Sequence, residues 1–177
     1  MYPSKILTAA GAAVLAATAV ASLTAATTAS ATTAGAAAGA ADARSQGSPV
    51  QVVRPGQVVD TGHGVDLRLT RTERCVGTPA DWSCSSVVDG NQAPDSVSVR
   101  TQGDASGTLY SPLYIGSGKA ARMTVTADGG TYDVQIVTLA GHPGYATGYA
   151  WGAPATDPGD VPQITVYGTA GQVLAQL

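Results

Sequence analysis

Two cysteines, two histidines and a short run of aromatic rings are the residues of this 177-residue chain whose types could do chemistry. Cys75 and Cys84 are the only cysteines, so one internal disulfide is the most the chain can form. In an exported protein such a pair is expected to close. Closing a loop this short stabilises by about 2–3 kcal/mol in the chain-entropy account. The enclosed residues, Val76 to Ser83, carry Trp82. They read either as a constrained, displayed loop of the kind that enters a protease cleft, or as a hairpin with a local sulfur staple. A tetrahedral metal site needs four ligands, and two cysteines without nearby histidines fall short of it, so no metal is expected there.

His63 and His142 both sit in glycine-flanked turns, Gly62-His63-Gly64 and Gly141-His142-Pro143-Gly144. Hydrolysis would need a nucleophile, a base and an orienting acid within reach of one another. Serine and aspartate are plentiful enough that some triple can always be drawn, but neither a nucleophile elbow nor a zinc-protease helix motif occurs. The one glutamate, Glu73, lies close to Arg71 and Arg74, where an ion pair is the simplest account. Asp128, Asp157 and Asp160 neighbour glycine or proline, as turn-forming aspartates do by bonding nearby backbone. No phosphate loop, dinucleotide fingerprint or haem motif is present, so no cofactor is implied.

Tyr145, Tyr149 and Trp151 share one strand parity, while Ala146, Gly148 and Ala150 share the other. Such a strand presents three rings on one face and only small groups on the opposite face. It is either a flat platform for a sugar ring or peptide, or the core side of a strand in a chain that has no phenylalanine to fill its interior.

The elements that must position these groups follow from periodicity. The first 31 residues join Lys5 to an alanine-rich apolar run, Ile6 to Leu23, and end in Ala29-Ser30-Ala31. That is the layout of a secretory signal peptide cleaved after Ala31. Residues 32–48 form an alanine-, glycine- and threonine-rich leader with nothing to bury, and are expected to be disordered. The expected domain is 49–177. After cleavage the mature chain, residues 32–177, carries eight basic groups against twelve acidic ones, a net charge of −4. This argues against a nucleic-acid partner, which would select a basic stripe. Arg68, Arg71, Arg74 and Arg100 are the best basic candidates, and read as one continuous strand from Val65 into Cys75 the first three do not line up on one face. No second apolar run follows the signal peptide, so no membrane anchor is expected in the mature chain.

Within the domain, apolar and polar residues alternate at Val65–Leu69, Ser96–Arg100 and Ala121–Thr126. Turn signals recur every eight to twelve residues, among them Pro55-Gly56, Asp128-Gly129-Gly130 and Thr169-Ala170-Gly171. Residues 120–139 read as a hairpin. Pro112 interrupts the Leu109–Ile115 run and places that segment at a sheet edge or a bulge. The expected fold is therefore all-β: a single antiparallel sandwich, immunoglobulin-like or jelly-roll-like, of about eight to ten short strands. The expected function is that of a secreted, non-enzymatic protein that binds an extracellular protein or a wall or matrix glycan, with Trp82, Tyr145, Tyr149 and Trp151 as candidate contacts. The alternatives are an extracellular protease inhibitor presenting the Cys75–Cys84 loop, and a small secreted hydrolase using His63 or His142.

Overall fold

The computed structural model describes residues 48–141, 143–155 and 161–177. The expected signal peptide, nearly all of the expected leader, His142, Asp157 and Asp160 lie outside them. The described chain is all-β, with thirteen strands arranged in three sheets. A central five-stranded sheet has the order β1 (Gln51–Val53), β10 (Gln135–Leu139), β11 (Tyr145–Gly152), β7 (Gly107–Ile115), β6 (Ser96–Asp104). One outer sheet is the meander β2 (Val58–Asp60), β3 (Asp66–Leu69), β4 (Glu73–Thr78), β5 (Asp81–Ser86). The other has the order β13 (Val173–Gln176), β12 (Gln163–Gly168), β8 (Ala120–Ala127), β9 (Gly130–Asp133).

Strand parity sorts the central sheet into two cores. Tyr110, Tyr114, Ile136, Ala146 and Ala150 pack with Met123, Val125, Ile164 and Val166 of the β8–β12 layer. Their neighbours Leu109, Leu113, Val137, Leu139 and Tyr145 pack with Val59, Leu67, Leu69 and Val76 of the β2–β5 layer. The central sheet is thus covered on both faces, and the expected two-layer sandwich is replaced by three layers. The reason is visible in β7, where all residues from Gly107 to Tyr114 are buried. Such a run has no wet face to mark it as half-buried, whatever the strand direction. Pairing is antiparallel throughout except between β1 and β10, which run parallel.

Three local expectations change with this arrangement. The strand from Val65 does not run on to Cys75. The Thr70 hydroxyl accepts the backbone amides of Thr72 and Glu73 at 3.2 and 3.0 Å, forming a side-chain-stabilised turn that folds the segment into the β3–β4 hairpin. The 120–139 hairpin forms at its turn, but its returning arm divides at Val134: β9 stays with β8, and β10 crosses into the central sheet. Val134, Ile136, Val137 and Leu139 are apolar on both parities, as a strand covered on both sides requires.

Pro112 is not at an edge. It lies in β7 between β6 and β11. The β7–β11 ladder pairs Leu113 with Thr147 and Tyr110 with Ala150, with a gap in between. Side chains fill that gap: the Ser111 hydroxyl donates to the Gly148 carbonyl at 2.9 Å, and the Thr147 hydroxyl to the Pro112 carbonyl at 2.6 Å. A proline is tolerated in this central strand because the Ser111 hydroxyl supplies the donor its ring lacks, while the Thr147 hydroxyl satisfies its carbonyl.

Candidate binding site

Cys75 and Cys84 are directly opposite in the β4–β5 ladder and are joined as a disulfide. The residues between them are not a displayed loop. Val76 pairs with Ser83, Gly77 with Trp82 and Thr78 with Asp81, which leaves only Pro79 and Ala80 outside the ladder. On one side β5 is spent on the ladder with β4, while its other side is the edge of the sheet. Glu73 lies near both sulfurs, but with the thiols oxidised the group offers no thiolate to a metal.

The hairpin has two faces. On the outer face Trp82 is half-buried beneath the guanidinium of Arg68, whose Cζ lies 4.7 Å from the ring centroid. Arg68 reaches this position because it stands opposite Cys75 in the β3–β4 register, beside the disulfide. On the inner face stand Val76, Arg74, Ser83 and Ser85. Arg74 is only 2 % exposed. Its Nη2 donates to the backbone carbonyl of Ser111 in the central sheet at 3.1 Å. Burial, and then the charge of Arg100, lower its pKa from the ordinary arginine range to about 10. Arg100, on β6, donates from Nη1 to the Ser83 hydroxyl at 2.5 Å. Among the described residues the single ion pair is Arg122 with Asp133, in another layer, so no carboxylate lies within salt-bridge distance of Arg74 or Arg100.

Beside these arginines a cleft of about 490 Å³ opens between β5 and β6. Ser85, Ser98, Gln92 and Leu113 line it, with Asp89 and Asn91 on the 87–95 loop. Gln92 pins that loop by donating to the carbonyls of Ser96 and Leu113 at 3.1 and 2.9 Å and accepting the Ser98 hydroxyl at 2.7 Å. Sequence reasoning named Arg68, Arg74 and Arg100 but missed this arrangement. Reading β3 and β4 as one strand gave Arg68 and Arg74 the same parity, whereas the Thr70 turn sends them to opposite faces. Thr70-Arg71-Thr72 was the available signal.

The aromatic strand faces inward. Tyr145 is 4 % exposed, and its hydroxyl donates to the Thr70 carbonyl at 2.5 Å. Burial raises its pKa to about 12. Tyr149 and Trp151 are partly buried against the same core, and the Trp151 indole donates to the Thr61 carbonyl at 2.6 Å. The opposite parity is crowded: a Cβ on Gly148 would lie 2.5 Å from both the Gln135 carbonyl oxygen and a Val134 methyl. The rings therefore line an interior, and the face of Tyr145 is not open to a sugar.

His63 adopts a positive φ of 54° in the 60–64 turn, and its ring stands 4.1 Å from that of Trp151. The Ser106 hydroxyl lies 3.5 Å from His63 Nδ1 but donates to Asp104 at 2.6 Å. That bond, the largest influence on Asp104, holds its carboxyl below the ordinary range. A serine nucleophile would give its proton to histidine, with the acid behind the ring. Here the serine hydroxyl donates to the acid itself, and among the described residues no carboxylate is hydrogen-bonded to the imidazole. No protein-family model, curated protein or solved structure matches the chain.

Proposed function

We propose that this chain is an exported, non-enzymatic binding protein whose ligand is an extracellular protein or a wall or matrix glycan. The observation that carries this reading is the pairing of Arg68 and Trp82 on the solvent face of a sheet whose other face is core. Tryptophan and arginine are the side chains most enriched where binding energy concentrates. The disulfide beside them fixes the hairpin, so little ordering cost falls on association. A ring already covered by a guanidinium suits a partner that brings an acidic group to the cation and an apolar or sugar face to the indole edge.

Co-sedimentation of the processed protein with purified insoluble wall glycan tests the glycan arm, and surface-immobilised binding to extracellular proteins tests the other. Trp82→Ala should reduce retention at least tenfold with the fold intact by circular dichroism. Equal retention of Trp82→Ala and the parent would remove the hairpin face from the reading.

A further inference from the structure

The layer between the central sheet and the β2–β5 sheet is apolar over most of its extent and cationic at the β5–β6 side. A guanidinium carries five N–H donors in a rigid, planar fork. Arg74 uses one of them, from Nη2, on the Ser111 carbonyl, while Nε and Nη1 are buried without a partner among the described residues. Whichever hydrogen of Nη2 that carbonyl takes, one two-donor edge remains whole: either Nε with Nη2, or Nη1 with Nη2. Arg100 likewise has a buried Nε without a partner. A buried cation, Arg74, beside a partly buried one, Arg100, with no carboxylate in salt-bridge distance of either among the described residues, is an unfavourable arrangement that a bound anion would relieve.

The register gives that anion an approach. Ser85 stands opposite Arg74 in the β4–β5 ladder, and Ser98 lies two residues before Arg100 on the same face of β6. Ser85 and Ser98 line the cleft and the arginines do not, so a ligand entering it reaches the solvent-closed edge of Arg74 by displacing the Ser85 and Ser98 side chains. The charged group at its rim is Asp89, whose carboxylate accepts the Asn91 backbone amide at 3.1 Å and the Asn91 side-chain amide at 2.6 Å. A negative rim disfavours a dianion more than a monoanion.

We propose that the cleft between β5 and β6 binds a monocarboxylate, which docks bidentately on the free edge of Arg74, with Arg100 as the second cation and the Ser85 and Ser98 hydroxyls at the entrance. A planar, two-oxygen group matches one guanidinium edge, which is the geometry of bidentate carboxylate recognition. This site does not depend on the Trp82 surface, which is on the other face of the same hairpin.

The test uses the processed, disulfide-bonded protein labelled with ¹⁵N-arginine. Acetate, glucuronate and N-acetylglycine are titrated, the last two to separate a sugar acid from a peptide terminus as the source, with the corresponding amides and inorganic phosphate as controls. The expected result is a saturable movement of the Arg74 and Arg100 Nε–H resonances with carboxylates and none with amides, together with a melting temperature that climbs with carboxylate concentration. Arg100→Gln should weaken binding at least tenfold. Arg74→Met should abolish it while melting no lower than the parent, because it replaces a buried charge by an apolar group of similar volume. Trp82→Ala should bind carboxylate as the parent does. Resonances unmoved by carboxylate in the parent, amides or phosphate binding as well as carboxylates, or undiminished binding by Arg74→Met would each overturn the proposal.

Discussion

Trp151 donates its indole N–H to the carbonyl of Thr61, 2.6 Å away and 90 residues earlier in the chain. The bond ties the turn between β2 and β3 to the last residues of β11, and so one outer layer to the central sheet. Trp151 also supports the His63 ring at 4.1 Å and sits 3.6 Å from the position a Cβ on Gly62 would take. It acts as a fastener between layers.

Trp151→Phe keeps an aromatic ring but removes the donor. A partly buried carbonyl left without its partner costs about 1–3 kcal/mol. Urea denaturation should show that loss with an unchanged slope, and amide exchange should quicken first in the 61–64 turn. A loss spread evenly over all three sheets would contradict the fastening role.

Tyr145 makes alkaline stability informative. Its pKa is 10.0 when unfolded and about 12 when folded, so the unfolded state gives up the proton first. Its contribution is full below pH 10 and is lost as pH rises toward 12, a change of about 3 kcal/mol for a shift of this size. Arg74 acts in the opposite sense, since its folded pKa of about 10 lies below the ordinary value and stability rises with pH above that point. The two nearly cancel in the parent between pH 10 and 12. Tyr145→Phe should lose about 1 kcal/mol at neutral pH through the bond to Thr70, then overtake the parent as pH climbs through that window. Parallel curves for the two proteins in denaturant titrations would rule the linkage out.

The covered central sheet predicts that neighbours of opposite parity are equally sensitive. Leu113 faces the β2–β5 layer and Tyr114 the β8–β12 layer, and both are almost fully buried. Leu113→Ala and Tyr114→Ala should each cost about 2–5 kcal/mol. A two-layer protein would spare one of them, so a cost below 1 kcal/mol at either position would refute three layers.

Much of this architecture is written locally, and the part that is not has a physical cause. The disulfide, the turn at Asp128-Gly129-Gly130 and the closing β12–β13 hairpin follow from residue types a few positions apart. The third layer depends on what covers each face of β7 and β11, and a period of two cannot report that. Tyr145 and Ala146 look like the two sides of an ordinary half-wet strand until a sheet is found over each. The arginine layer was hidden by a single turn. Once Thr70 folds β3 back on β4, Arg74 points inward toward Arg100, and no sequence window spans both residues.

The parallel pairing of β1 with β10 carries a consequence for the order of folding. The first strand of the domain has no partner until residues 135–139 have been made, and the central sheet stays incomplete until Gly152. The β2–β5 meander and hairpins such as β6–β7 can close from neighbouring sequence as they emerge, but the β1–β10 pairing cannot. Long-range closure of this kind is slow. A chain whose earliest strand waits for one of its latest locks its central sheet only when nearly all of the domain is available to fold.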